Sequence, residues 1–310
     1  MLREWFVPKL MEVTIMEKQN RIFRYAKFKI LFLLLGIVSL LVAGCGGGAG
    51  GDDGVDTDEP FAGNSGTGAD GIAVFWKYFG GIGGANAVEQ TADGGFVFAG
   101  EKGADYPFET KNFCLMKSDS LGNLVWRRSL GGDQGQTARD VKQCSDGGFI
   151  AAGYTDAGAS RDIYVIRTDP AGNLIWFKTY DLQGEDDEGH AVCVLPGNEY
   201  AIAGSGTRDP GSGEPSTDVW FFKIDDKGVK IPGSDRFYAS SIPGWNRAYD
   251  MDITRDNGFV ITGRGEPNAI SVIRTAVDGD AIWNNVYGTG VGYSVKQAHQ
   301  PDDGFIVAGS

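Results

Sequence analysis

The stretch KSDSLGNLVW at residues 117–126 decides the fold, because the chain repeats it. It returns as RTDPAGNLIW at 167–176 and, less faithfully, as KIDDKGVKIP at 223–232 and RTAVDGDAIW at 274–283. Three of the four copies end in tryptophan, and the third copy ends in Pro232 instead. A phrase that recurs in this way indicates a repeated unit of structure.

A second phrase accompanies the first in every repeat. It reads DGGFVFAG, DGGFIAAG, GNEYAIAG, DNGFVITG and DDGFIVAG, with its aromatic residue at Phe96, Phe149, Tyr200, Phe259 and Phe305. These aromatic residues are 53, 51, 59 and 46 positions apart. Repeats of about 50 residues that consist of strands and turns are typical of a β-propeller.

Residues 137–180 form the clearest unit, and their pattern predicts four strands. We expect them at 139–144, 149–155, 162–168 and 174–180. The turns between them are marked by glycine, which adopts positive φ without strain, and by Pro-containing DPAGN. We therefore predict an all-β fold, a β-propeller of four-stranded antiparallel blades over residues 71–310. Blade-docking residues are expected at Trp126, Trp176 and Trp283.

The third and fifth repeats should depart from this scheme. The third carries Pro232 and the longest insertion, at 206–217, so its last strand should be an irregular edge strand. The fifth stops after its second strand, and 72–81 reads as a lone fourth strand that could complete it. One strand would then be missing, which suggests a C-terminal truncation and an open edge at 304–309.

The N-terminus has the layout of a secretory signal peptide. Four basic residues precede a fourteen-residue apolar run, Ile30 to Ala43, which is shorter than the roughly 20 residues of a membrane span. The run closes with LVAGC at 41–45, which resembles the lipobox of bacterial lipoproteins. That resemblance implies a signal peptide over 1–44, with Met16 as an alternative start, and a lipidated Cys45. An uncleaved anchor helix is the alternative.

The lipobox resemblance also implies a partner and a location. A lipid on Cys45 would anchor the protein in a membrane, with the outer membrane or the cell surface as the expected site. Residues 45–70 are rich in Gly and Asp without apolar periodicity, which predicts a flexible tether between the anchor and the repeats.

Charge excludes one class of partner. The chain has a formal net charge of −13, and the part after Cys45 carries 21 basic and 38 acidic residues. A surface this acidic repels phosphate backbones, so we expect no nucleic-acid partner.

The cysteines after the lipobox are Cys114, Cys144 and Cys193. Three thiols cannot all pair with one another, and none belongs to a C-x-x-C motif. Small core-filling thiols are the first interpretation, and one disulfide among them is the alternative, since an exported protein meets an oxidising environment.

Histidines and acidic residues offer little chemistry. His190 and His299 are 109 residues apart without metal-ligand spacing, so we expect polar loop histidines and no metal site. The acidic run EDDE at 185–188 could bind a cation, but a solvated loop is the simpler interpretation. No cofactor is predicted.

One set of residues could form a ligand-binding face. Propellers bind ligands where loops enter the innermost strands, and these positions lie ten residues before the aromatic of the second phrase. They are Asn86, Arg139, His190 and Tyr249, joined by Tyr293 if the last repeat carries two extra residues. Dissimilar polar and aromatic residues at equivalent positions are expected of a ligand face, and also of unconstrained loops.

The repeat resembles several propeller families. D-x-x-G-x-x-x-W resembles the tryptophan-docking motif of quinoprotein-type propellers, and the period resembles that of kelch repeats. Combined with DGGF, it is similar to a repeat of secreted bacterial and archaeal proteins and lipoproteins, over residues 72–310. The vicinal Cys-Cys pair frequent in alcohol-oxidising quinoproteins is absent, and the Asp-to-Gly spacing is one residue shorter.

Two functions follow as expectations. The first is a lipid-anchored, non-enzymatic scaffold that binds a protein or a polysaccharide. The alternative is a propeller enzyme, quinoprotein-like or glycan-cleaving, with its site at the mouth of the central channel.

Overall fold

The computed structural model describes most of the repeat region. The structure describes in full residues 84–102, 111–132, 134–156, 160–208, 216–239, 244–298 and 304–310. It describes only the backbone of Ala157 and of four short strands that precede residue 84. Cys45, His299 and most of 1–44 and 45–70 lie outside these residues. The chain divides into two compact units, residues 32–181 and residues 182–310 with 1–31. They are called the first and the second unit below.

The first unit contains two four-stranded antiparallel sheets, blades one and two. Blade one consists of Gly84–Gln90, Phe96–Lys102, Asn112–Ser118 and Leu124–Ser129. Blade two consists of Gln136–Gln143, Phe149–Ala157, Ser160–Thr168 and Leu174–Tyr180. In each blade the strands pair in sequence order, as the repeat predicts.

The second unit contains blades three and four and a fifth sheet. Blade three consists of Asp187–Val194, Tyr200–Arg208, Ser216–Ile224 and Arg236–Tyr238, with a 3-10 turn at Pro196–Asn198. Blade four consists of Arg247–Ile253, Phe259–Gly265, Ala269–Thr275 and Ala281–Tyr287. The fifth sheet pairs Gly292–Gln297 with Phe305–Gly309, then Val13–Ile15 and Lys27–Phe28.

The fifth sheet is completed by strands other than the predicted one. Phe305–Gly309 is paired on both sides, by Gly292–Gln297 and by Val13–Ile15, so the expected open edge is covered. Residues 72–81, expected as its fourth strand, contribute Ala73–Phe75 to a separate hairpin with Ser65–Thr67. Ala73–Phe75 therefore pairs locally, whereas the strand that does extend the fifth sheet, Val13–Ile15, comes from far away in the sequence.

Each unit has its own apolar core, built from the second and third strands of its blades. In the first unit Phe113, Phe149 and Ile166 are almost completely buried among smaller residues such as Ala151. In the second unit Phe221 and Phe259 occupy the corresponding region. Small residues on the second strand leave room for aromatic residues of the next blade, and this accounts for the Ala-rich end of the DGGF phrase.

The turn between the third and fourth strands explains the D-x-x-G-N phrase. In blade two, Oδ1 of Asp169 accepts the backbone N–H groups of Ala171 and Asn173, and Oδ2 accepts the Asn173 amide. Gly172 adopts a φ of 78°, a value that glycine reaches without strain. Blade one repeats the arrangement with Asp119, Asn123 and Gly122.

Blade three is irregular, as Pro232 suggested, and the reason is visible in its last strand. Pro232 lies outside any strand, and the fourth strand is delayed to Arg236–Tyr238, which is only three residues long. Proline cannot donate a ladder hydrogen bond, so the chain resumes pairing beyond it.

The described cysteines are core residues. Cys114, Cys144 and Cys193 are all buried, and no disulfide joins any two of them. The core-filling interpretation is therefore confirmed for these three, and the alternative of one disulfide among them is wrong. Sγ of Cys193 lies 3.6 Å from the main-chain oxygen of Met251, which gives the thiol a hydrogen-bond acceptor.

The fold class is the predicted one: all-β, of β-propeller type, with four-stranded antiparallel blades. Among the described residues, the structure contains no helix with the length and apolarity needed to cross a bilayer.

Candidate functional site

The predicted ligand-face residues share a backbone feature that the sequence did not show. In the first strand of all five sheets, the pairing register with the second strand skips one residue. The skipped residues are Asn86, Arg139, His190, Tyr249 and Tyr293, which are the predicted ligand-face residues. A β-bulge inserts one extra residue into a strand and re-aims its side chain, and bulges are common beside functional sites.

A glycine opposite each bulge makes it sterically possible. A Cβ atom on this glycine would collide with the main-chain oxygen of the residue two positions before the bulged one. The glycines are Gly100, Gly153, Gly204, Gly263 and Gly309, which close the second repeated phrase. The recurring glycine at the end of the second phrase is therefore the sequence signal for the bulge, although the phrase by itself predicts only a strand.

In the first unit the bulged residues are polar. The side-chain amide of the exposed Asn86 donates to the main-chain oxygen of Ala138 at 2.7 Å. Arg139 is half-buried, with its guanidinium carbon 5.3 Å from the ring centroid of Tyr154. Among the described residues, Nε of Arg139 is buried and has no hydrogen-bond partner. Arg139 therefore brings a half-buried cationic side chain to the bulge of blade two.

In the second unit the bulged residues form an aromatic row. The ring centroids of His190 and Tyr249 are 5.1 Å apart, and those of Tyr249 and Tyr293 are 5.6 Å apart. Exposure increases along the row, since His190 is 6% exposed, Tyr249 is half-buried and Tyr293 is 51% exposed. His190 and Tyr249 are inclined by 62°, an edge-to-face contact of the kind that aromatic pairs favour, and Tyr249 and Tyr293 are tilted by 58°.

The expectation of a polar loop histidine was wrong for His190. Its ring is buried in the first strand of blade three, between the Glu188 carboxylate and the Tyr249 ring. An imidazole tolerates burial when it has polar and aromatic neighbours. Here Glu188 of the same strand and Tyr249 of blade four are those neighbours.

The acidic run 185–188 is also only partly the solvated loop we expected. Glu185 and Asp186 are exposed, but Asp187 and Glu188 are buried in the first strand of blade three. Asp187 accepts the backbone N–H groups of Leu182 at 2.5 Å and of Thr207 at 3.1 Å. Those hydrogen bonds compensate the loss of hydration that burial of a carboxylate entails.

Glu188 lies beneath the aromatic row. Its Oε2 atom is 3.2 Å from Nε2 of His190 and 3.6 Å from a guanidinium nitrogen of Arg247. The guanidinium carbon of Arg247 in turn lies 5.6 Å from the ring centroid of Trp245, a residue that is 59% exposed. The second unit thus combines a buried carboxylate, a cation and several aromatic rings around its bulged residues.

Hydrogen bonds and ion pairs, called latches here, join the first strands of adjacent blades. Glu89 of blade one accepts the N–H of Gln143 in blade two at 2.9 Å and lies 3.3 Å from Lys142. The Gln143 side chain accepts the N–H of Ala92 in return. The same contacts recur between blade four and the fifth sheet, with Asp252, Lys296, Gln297 and Arg255. These latches fix the bulged strands relative to their neighbours within each unit.

The blade-docking tryptophans occupy different surroundings. Trp126 packs edge-to-face on Phe149 at 5.6 Å, and a Cβ on Gly172 would lie 2.9 Å from its ring. Trp283 contacts Phe305 of the fifth sheet at 6.1 Å. Trp176 is half-buried in the last strand of the first unit.

In blade three the contacts of the tryptophan are made by Phe221, a residue that sequence reasoning missed. Its ring lies 5.0 Å from that of Phe259, and a Cβ on Gly279 would lie 2.6 Å from it. The hydroxyl of Tyr238 adds a hydrogen bond to the main-chain oxygen of Gly279 at 2.5 Å. Phe221 belongs to the third strand, so it does not occupy the tryptophan position in the repeat.

Within the described ranges, no three His, Cys, Asp or Glu residues are arranged to hold a metal ion. The side chains around the bulges offer hydrogen bonds, aromatic surfaces and an ion pair in which Glu188 is buried and Arg247 is partly exposed.

Comparisons with known proteins yield structural likeness at low sequence identity. No family model and no curated protein matches the chain. A protein of unknown function from Dyadobacter fermentans is 15% identical, with 69% of this chain and 72% of that chain covered and a TM-score of 0.47. At TM-scores below 0.5, this likeness and the two that follow do not bear on what this chain does.

Two of the similar solved structures are enzymes. An α-L-arabinanase from Penicillium chrysogenum, complexed with arabinobiose, is 9% identical, with 72% of this chain and 75% of that chain covered and a TM-score of 0.48. A gluconolactonase from Xanthomonas campestris is 12% identical, with 73% and 72% covered and a TM-score of 0.41.

Proposed function

We propose that this protein is a lipid-anchored, extracytoplasmic β-propeller that binds a protein or glycan ligand without transforming it. The bulged residues of each unit form its candidate binding surface. The observation that carries the proposal is that the bulge recurs in all five sheets while the side chain on it changes each time. A constant backbone with variable side chains is what a scaffold for recognition requires.

The anchor belongs to the same proposal. Cys45 follows an apolar run that is itself preceded by basic residues. Its lipidation would retain the protein at a membrane, with the outer membrane or the cell surface as the expected site. Metabolic labelling with an alkyne fatty acid tests it. Label should enter the wild-type protein and be absent from Cys45→Ser. Label that persists in this variant would refute the anchor.

The binding face is tested with the full-length protein in mild detergent on glycan and peptide arrays. A selective hit should weaken in Arg139→Ala and Tyr249→Ala, while the exposed-loop control Glu185→Gln should bind as wild type does. Circular dichroism melts of each variant show whether the fold persists. A hit that survives both substitutions would remove the bulge face from the proposal.

A glycan-cleaving enzyme is the second candidate, and Glu188 is the observation that favours it. A buried carboxylate beside the face could act as a general acid or base. Glycoside hydrolysis usually needs two carboxyl groups across the scissile bond, and the other buried carboxylate nearby, Asp187, is occupied by backbone N–H groups. Incubation of array-positive glycans with the protein, followed by mass spectrometry of the products, decides between the two.

A further inference from the structure

We infer that the aromatic row His190–Tyr249–Tyr293 of the second unit is a subsite for an uncharged sugar residue. This inference rests on the binding face proposed above and adds the chemical class of its ligand. Tyr249 and Tyr293 supply the contact surface, and His190 and Glu188 position them.

The exposed end of the row suits a sugar ring. Tyr293 is 51% exposed and Tyr249 is half-buried, so a ligand has access to part of each side chain. A pyranose has an apolar C–H face and a rim of hydroxyls, and amphipathic aromatic residues match both features in one contact. The centroid spacing of 5.6 Å between the two tyrosines keeps these two contact surfaces close together.

The buried end of the row supports a positioning role. The Glu188 carboxylate is nearly inaccessible, 3.2 Å from His190 and 3.6 Å from Arg247. A buried carboxylate is costly for a fold unless it has a partner, and Glu188 has one in the partly exposed Arg247. Orientation gives this carboxylate a further role, because it contacts His190, whose ring packs against Tyr249 at an inclination of 62°.

Charge selects the class of ligand. Glu188 and Arg247 neutralise each other beneath the row, and Asp250 is engaged by the Ser294 hydroxyl at 2.8 Å and the Val295 N–H at 2.9 Å. These donors are neutral, so the Asp250 carboxylate keeps its negative charge beside Tyr249 and disfavours an anionic ligand there. The chain as a whole is strongly acidic, which further disfavours anionic polysaccharides. A neutral sugar is therefore favoured over an anionic one at the row, and the cationic peptides in the following test address the opposite charge.

Binding of neutral glycans, uronate-containing glycans and cationic peptides to the full-length protein in detergent tests the class of ligand. The expected result is preferential binding of a neutral glycan. Its affinity should weaken about tenfold in Tyr293→Ala, the loss expected for one aromatic contact. Ile282→Ala, on an exposed position of blade four, is the matched control and should bind as wild type does.

Other outcomes separate this inference from the proposed function. Neutral-glycan binding that is lost only in Asn86→Ala and Arg139→Ala would keep the bulge face and overturn the aromatic subsite. Tyr293-dependent binding of a charged ligand would overturn the class of ligand. If binding persisted after substitution of each bulged residue, both the aromatic subsite and the proposed binding surface would be overturned.

The positioning role of His190 has its own test. His190→Ala should weaken glycan affinity, and His190→Phe should restore most of it, because the aromatic support of Tyr249 returns. If His190 had a purely structural role, the loss of affinity in His190→Ala would instead be accompanied by a proportional fall in its melting temperature. Equal affinities for wild type and His190→Ala would overturn the positioning role.

Discussion

Arg167 and Asp146 join the two repeated phrases of blade two. Nη2 of Arg167 lies 2.6 Å from both carboxylate oxygens of Asp146, although the arginine side chain is only 6% exposed. The pair recurs as Lys117 with Asp93 and as Arg274 with Asp256. In the third repeat Gly197 replaces the aspartate, and Lys223 donates to the main-chain oxygen of Val277 instead. The two phrases accompany each other because their first residues form an ion pair.

Loss of this pair should destabilise the protein moderately. Asp146→Asn is expected to lower the free energy of unfolding by about 1–2 kcal/mol, because the buried Arg167 loses its carboxylate while its main-chain acceptors remain. The value stays modest because the Asp146 side chain is 58% exposed and therefore screened by solvent. Urea unfolding measures it, with the exposed Glu185→Gln as control. Equal loss in both variants would contradict the pairing argument.

Acid should weaken the fold through the same aspartates. The pKa of Asp93 is lowered to about 2, first by its hydrogen bond with Thr91 and then by Lys117. The pKa of Asp146 is lowered chiefly by Arg167, and that of Asp256 chiefly by Thr254. A folded-state pKa below the unfolded value of about 3.9 contributes stability above that pH, and the contribution disappears as pH falls towards the folded value.

The free energy of unfolding should therefore decline between about pH 4 and pH 2. Urea titrations at a series of pH values measure the decline. Asp93→Asn should show a shallower decline than wild type in this window, since one of the shifted groups is gone. An identical slope in both proteins would show that the Asp93 pKa is not lowered in the folded state.

The glycine opposite a bulge should not tolerate a side chain. In Gly153→Ala, the new Cβ would collide with the main-chain oxygen of Thr137, and the strand pair would have to separate. We expect a loss of about 1–3 kcal/mol, as for other overpacked sites. Gly132→Ala is the matched control, because nothing lies within 4 Å of a Cβ there. Similar melting temperatures for the two variants would contradict the bulge geometry.

The three core cysteines should react only after unfolding. Cys114, Cys144 and Cys193 are buried without a disulfide between them, and burial raises the pKa of the Cys114 thiol to about 11. A buried thiol with a raised pKa is a poor nucleophile. Ellman's reagent at pH 8 should modify none of the three in the native protein and all three in denaturant. Rapid modification in the native state would refute the burial.

The repeat made much of the local structure predictable. Strand and turn positions follow from the spacing of Phe149 and its equivalents, since glycine and proline punctuate each turn by their own backbone preferences. Counting ten residues back from each aromatic located all of the bulged residues in blades one to four. Tyr293 required two extra residues, which the sequence places between the strands Gly292–Gln297 and Phe305–Gly309.

Other features escaped the sequence because they depend on contacts between distant residues. Asp187 and Glu188 read as a solvated acidic run, but Asp187 accepts backbone N–H groups of Leu182 and Thr207, and Glu188 contacts Arg247 of blade four. Tyr238 reads as an ordinary aromatic residue until the delayed strand places it against Gly279.

The sequence by itself determined the all-β repeat, because local backbone preferences and a periodic pattern act within each unit. The tertiary structure alone decided which side chains meet across blades: the aromatic row of His190, Tyr249 and Tyr293, and the pair of Glu188 with Arg247. Such contacts join residues 44 to 59 positions apart, and their geometry follows from bulge, register and packing together.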